Sequence, residues 1–157
     1  MQDDPDCTQS RGKQYWDRGL MGCWCTPVSG IWQTLYLEAV GDYAMRYTHV
    51  TPDIDRHMFT AEIALDRQPR EALEAELTVS FGGQVRQSVR VSVCDRIVRV
   101  PVEMIVRGAL DPLELWAPGH PALYDLRVRL LRDGEAVDQV DTYFGMRKIR
   151  AAAAAST

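Results

Sequence analysis

From residue 43 onward, apolar and polar side chains alternate along this chain almost without interruption. The clearest stretch sets Leu73, Ala75, Leu77, Val79 and Phe81 against Glu74, Glu76, Thr78 and Ser80. That period of two is the signature of a strand with one buried face. Residues 70–77 also have good helix propensity, but alternation carried on through Phe81 outweighs it, because burying a face contributes more than propensity. Further rows are Tyr43, Met45, Tyr47 and His49; Phe59, Ala61, Ile63 and Leu65; Val85, Val89, Val91 and Val93; Val98, Val100, Val102 and Met104; and Leu126, Val128 and Leu130. A strand is expected over residues 31–38 as well, after the turn at Gly30, and a last short one over 144–149.

The punctuation between these rows fits hairpins. Gly82-Gly83 and Asp133-Gly134 place residues that accept positive φ between two strands, as tight turns require. Gly41-Asp42 marks a break. Pro101 lies on the face opposite Val100 and Val102; lacking an N–H, it demands an edge or a bulge there. Roughly seven or eight short strands within about 110 residues, with regular turn signals and no convincing helix, predict an all-β fold, an immunoglobulin-like antiparallel β-sandwich. The Cys…Trp…Cys arrangement of antibody domains is missing, so the expected architecture is the looser, fibronectin-like one. Residues 1–28 carry no sustained period. The alanine-rich residues 150–157 read as a linker or tail, too short to nucleate a helix alone.

Composition narrows the function. Hydrophobic content of 46% and charged content of 25% describe a globular chain with material for a core. A net charge of −4 gives no electrostatic reason to bind nucleic acid. No apolar run approaches the roughly 20 residues of a membrane helix. The acidic start of the chain lacks the basic-then-apolar layout of a secretory signal, and with Met1 as the natural start the expectation is cytoplasmic. Arginine is abundant while lysine occurs only at positions 13 and 148, and asparagine is absent; we read this as nucleotide bias, of bacterial type.

Few residues invite chemistry. Cys23 and Cys25 form a C-x-C pair with Cys7 upstream, and Cys94 stands apart. Structural zinc sites use spacings of two to four residues, and no histidine neighbours the pair. The reading is therefore bystander thiols, no metal and no cofactor. His49, His57 and His120 lack a carboxylate partner at a recognisable spacing and read as packing or surface residues. Glu74 and Glu76 share the polar face of one strand, with Cβ atoms roughly 7 Å apart, and are expected to stand in water with Arg86, Arg90, Arg127 and Arg129. Trp32 and Trp116 suit sugar stacking, but core packing is the stronger reading; for Trp116, plugging the end of the sandwich, truncation to alanine would cost about 3–5 kcal/mol.

Four segments carry a resemblance: residues 11–14 (Arg-Gly-Lys-Gln), the run SGIWQTLYLE at 29–38, the elbow WAPGHPALYDL at 116–126, and Phe144-Gly145-Met146-Arg147-Lys148. In this order they resemble family 2 of the glycoside hydrolases, the β-galactosidases, β-glucuronidases and β-mannosidases. The resemblance implies residues 1–40 as the end of a jelly-roll sugar-binding domain, 41–149 as the immunoglobulin-like sandwich, and 150–157 as a linker towards a catalytic (β/α)8 barrel. Members are retaining enzymes with two carboxylates about 5–5.5 Å apart, both glutamates on the barrel, and no position here aligns with either.

The chain is thus expected to be inactive alone, with no catalytic residue, within a β-glycosidase of carbohydrate metabolism. Its expected partners are the sugar-binding domain and the barrel; separated from them, bare interfaces would favour self-association. Trp24, in the irregular segment Gly22-Cys23-Trp24-Cys25, is implied as a substrate-proximal residue of the intact enzyme. The alternative is a free-standing β-sandwich module for carbohydrate or protein binding.

Overall fold

The computed structural model describes residues 30, 31, 33–104 and 112–149. Its elements are seven strands: β1 (Met45–Asp53), β2 (Met58–Leu65), β3 (Leu73–Phe81), β4 (Gln84–Val93), β5 (Ile97–Glu103), β6 (Tyr124–Arg132) and β7 (Glu135–Phe144). They form two sheets, β1-β2-β5 and β4-β3-β6-β7, with every neighbouring pair antiparallel. The inner rows of both sheets make one core. Phe59, Ala61, Ile63, Leu65, Val100 and Val102 come from the first sheet, and Leu73, Ala75, Leu77, Val79, Leu126, Val128 and Leu130 from the second. Among the described residues the only buried side chains with a polar group are Tyr43 and Tyr124, as expected when alternation sends charged and amide side chains outward.

The hairpins form where their residues permit. Gly82 and Gly83 adopt φ of 58° and 77°, and Asp133 and Gly134 adopt 52° and 83°, the left-handed pair of a type I′ turn. Pro101 lies opposite Thr60 on β5, an edge strand, so its missing N–H interrupts no ladder on the outer side. The open seams between the sheets are stitched by side chains. Asp138 Oδ2 accepts the Met45 N–H at 2.6 Å, and Gln87 Nε2 donates to the Glu103 carbonyl at 3.1 Å. Such polar capping makes an edge a poorer template for a foreign strand.

Several expectations need correction. The row Tyr43, Met45, Tyr47, His49 breaks at a bulge between Met45 and Tyr47. Tyr47 and His49 therefore face outward, and Val50 takes up the core-facing row. A second bulge, between Val79 and Ser80, turns Val85 out to 66% exposure and draws Arg86 over the Phe81 ring, 5.7 Å from its centroid. One extra residue flips every later side chain to the other face. Residues 34–40 form no strand, and Leu35, Tyr36 and Leu37 are exposed; apolar composition alone does not make a strand, which needs a neighbour's ladder to be stable. No separate strand runs over 144–149 either. Phe144 ends β7, and Met146 makes only a single parallel bridge to Leu115.

Candidate functional site

The sandwich is specialised at the end where the chain leaves it. Pro112, Pro118 and Pro121 frame an elbow in which Pro118-Gly119, with Gly119 at φ 86°, makes a type II turn. The turn is closed by reciprocal bonds between Ala117 and His120, at 3.0 and 2.9 Å. The elbow rests on aromatic packing. Phe59 and Phe144 lie 4.6 Å apart, Tyr124 and Phe144 5.5 Å, and Phe81 and Tyr124 4.9 Å between centroids. The buried Tyr124 hydroxyl accepts the Glu114 N–H at 2.8 Å, and burial pushes its phenol above the usual range.

Against this base the outgoing chain is fixed. Met146 is fully buried; its carbonyl accepts the Trp116 N–H at 2.9 Å. Lys148 pairs with Asp55 in the β1–β2 turn. Between them Arg147 lies over the Trp116 ring, 5.0 Å from its centroid, within the range of a cation–π contact. Gly145 forms a shelf for Trp116: a Cβ there would stand 3.0 Å from the Trp116 Cβ. Trp116 is thus half-buried and plugs a surface cleft, correcting its expected place in the core. Tyr124, Phe144 and Met146 fill that end of the core instead. The cleft continues into a shallow groove of about 250 Å³ lined by Trp116, Leu123, Tyr143, Phe144, Gly145 and Arg147.

The outer faces of the sheets carry charge pairs. Glu76 is held by Arg90 and by Arg129, each at 2.9 Å. It is less solvated than expected, with a fifth of its side chain exposed. The hydrogen bond from Arg90 leads in holding its carboxyl below the usual range. Glu62 is lowered chiefly by the Tyr47 hydroxyl and then Arg99, and Asp141 chiefly by Arg127. Asp66 is lowered chiefly by Arg67. A general acid at neutral pH needs the opposite displacement, so none of these carboxyls is built for that work. His49 and His57 are exposed. His120 has a partner that its spacing did not announce, Glu114 at 3.3 Å, on the surface. Cys94 is a free, exposed thiol, and among the described residues no three His, Cys, Asp or Glu side chains converge as metal ligands would.

Trp24, Trp32, Cys7, Cys23 and Cys25 lie outside the described residues. The groove at Tyr143, Leu123 and Arg147 went unrecognised in the sequence. Its only local signal was Gly145 two residues before Arg147.

Residues 44–147 match the family model of glycosyl hydrolases family 2. Similar solved structures include a family 2 glycosyl hydrolase from Bacteroides cellulosilyticus DSM 14838, at 18% identity and TM-score 0.58, covering 71% of this chain and 16% of that one. Another is a beta-D-mannosidase from Dictyoglomus thermophilum, at 21% identity and TM-score 0.62, covering 78% and 15%. A putative beta-galactosidase from Bacteroides fragilis aligns at 20% identity and TM-score 0.50, over 69% and 18%. The likeness is one of fold, and it takes in 15%, 16% and 18% of those chains. No curated protein matches the chain.

Proposed function

The chain belongs to glycosyl hydrolases family 2, and from that premise we propose that it is the non-catalytic spacer of a larger retaining β-glycosidase. It would hold a sugar-binding domain, of which residues 1–40 are the end, against a catalytic barrel that follows. The observation that carries this reading is the anchored exit. Buried Met146, the Trp116–Met146 backbone bond and the Lys148–Asp55 pair fix the path of the chain to the last residue or two before it leaves. A scaffold of this kind lets two domains build one pocket, and a misplacement of about 1 Å can cost about a hundredfold in rate.

The test is to insert a flexible Gly-Ser segment after Ile149 in the full-length enzyme. We expect kcat/KM on an aryl β-glycoside to fall at least about tenfold, with no turnover by the 157-residue chain alone. An insertion without effect, or hydrolysis by the isolated chain, would overturn the proposal. We also propose Trp24 as a substrate-proximal residue of the same enzyme, so that Trp24→Ala should lower kcat/KM; an unchanged value would retire that role.

A further inference from the structure

We propose that the outer face of the four-stranded sheet carries a binding site for a neutral saccharide, built on Asp125, Arg127 and Tyr143. The site stands on the sandwich alone and does not depend on the spacer reading above.

Strand register assembles it. Val85 pairs with Ser80, Ser80 with Asp125, and Asp125 with Tyr143, so these four residues form one row across β4, β3, β6 and β7. Beside it runs a second row, Ser88, Thr78, Arg127 and Asp141. Neighbouring strands lie about 4.7–4.9 Å apart, which sets Val85 and Tyr143 about 14 Å apart as rims, with the short Ser80 and Thr78 as a floor between them. The result is an open trough of about 550 Å³, within the roughly 300–1,000 Å³ typical of small-molecule clefts. Val85 reaches its rim because the bulge between Val79 and Ser80 turns it outward, and bulges commonly re-aim a side chain beside a site.

The hydrogen-bonding capacity left over decides what fits. Further along the same face, Glu76 is held from both sides by Arg90 and Arg129. In the trough the pairing is incomplete. Asp125 is exposed, and its carboxylate has no partner among the described residues. Arg127 pairs with Asp141 alone, through Nε at 2.7 Å; a guanidinium carries five N–H donors, so it keeps some to give. A free acceptor and spare donors thus stand two residues apart on β6, about 7 Å along one face. Directly across from Asp125 lies Tyr143, its side chain 68% exposed.

Each feature suits a sugar. Neighbouring hydroxyls donate to a carboxylate and accept from a guanidinium at once, while the C–H face of the ring packs on an aromatic side chain. Other occupants fit less well. An anion would meet the carboxylates of Asp125 and Asp141, and a cation would meet Arg127. A protein partner favours a centre depleted of charge, and this centre is charged. A neutral polyhydroxyl ligand uses the acceptor, the donors and the ring together.

The test titrates four neutral disaccharides, lactose, cellobiose, maltose and mannobiose, into the isotope-labelled 157-residue chain and follows its amide NMR shifts. We expect at least one to saturate with a Kd of about 1 mM or lower, moving the amides of Thr78, Ser80, Asp125, Arg127 and Tyr143. Asp125→Ala and Tyr143→Ala both change solvent-facing side chains, so their urea midpoints should stay near that of the parent chain. Each should weaken the binding at least about tenfold. Failure of all four sugars to saturate, shifts confined to other surfaces, or variants that bind like the parent chain would overturn the proposal. Tighter binding of glucuronate than of any neutral sugar would also overturn it, by making the ligand an anion. So would self-association of the chain that Tyr143→Ala abolishes, by making the trough a protein contact.

Discussion

The contact between Gly145 and Trp116 can be tested quantitatively. A methyl added at position 145 would stand 3.0 Å from the Trp116 Cβ, 3.2 Å from its Cγ and 3.3 Å from its Cδ1. Carbon pairs attract at about 3.5–4.0 Å, so all three contacts are repulsive unless Trp116 retreats. Its backbone is tied to Met146 and its ring lies under Arg147, which leaves little room to do so.

Overpacking of this sort costs about 1–3 kcal/mol. Against it stands about 0.4–1 kcal/mol gained because alanine restricts the unfolded chain. Gly145→Ala should therefore destabilise by about 0.5–2 kcal/mol, read as a lower urea midpoint at unchanged slope. Trp116→Ala alone should cost less than the about 3–5 kcal/mol of a fully buried tryptophan, because part of the side chain is already in water. The double variant decides the matter. Truncation keeps the Trp116 Cβ but removes Cγ, Cδ1 and the ring that blocks relaxation. The cost of Gly145→Ala should then shrink by at least about 0.5–1 kcal/mol, beyond the scatter of about 0.3–0.5 expected of independent sites. Strict additivity, or a neutral Gly145→Ala, would refute the shelf geometry.

Met146→Ala empties a fully buried position at the exit and should cost about 2–5 kcal/mol in denaturant unfolding of the isolated chain; a loss under about 1 kcal/mol would mean that the exit is not anchored there. Acid unfolding should report the lowered carboxyls Glu62, Asp66, Glu76 and Asp141. Each binds its proton less readily folded than unfolded, so its contribution is present above the ordinary carboxylate pKa and is lost as pH falls through the lower folded value. Stability should accordingly decline with pH from about 4.5 downward. Glu76→Gln should flatten that decline in a pH series of urea midpoints, and an unchanged slope would show that the Arg90–Glu76–Arg129 bridge contributes nothing.

Alternation from Leu73 to Val79, from Phe59 to Leu65 and from Leu126 to Leu130, together with the two hairpin turns, was enough to fix most strands, their inner faces and the sandwich class. These are local properties: which face a side chain takes follows from backbone pleat, and which turn forms follows from the φ its residues tolerate. The charge pairing of the outer faces was partly legible too, since Arg90, Arg127 and Arg129 alternate out of phase with the core row. Their specific partners were not, because Glu76 and Arg129 are 53 residues apart.

What tertiary structure alone decided concerns relations between segments. Bulges at Met45–Tyr47 and Val79–Ser80 reversed Tyr47, His49 and Val85, and a bulge exists only relative to the strand opposite. Residues 34–40 have the composition of a strand yet form none among the described residues, since a ladder takes two partners. Trp116 looked like a core residue by size and by its prolines. It became a surface plug because residue 145, on another element, has no side chain and residue 147 offers a cation. The groove at the exit is likewise the meeting of an elbow, a strand end and an outgoing tail, three stretches whose proximity no local pattern encodes.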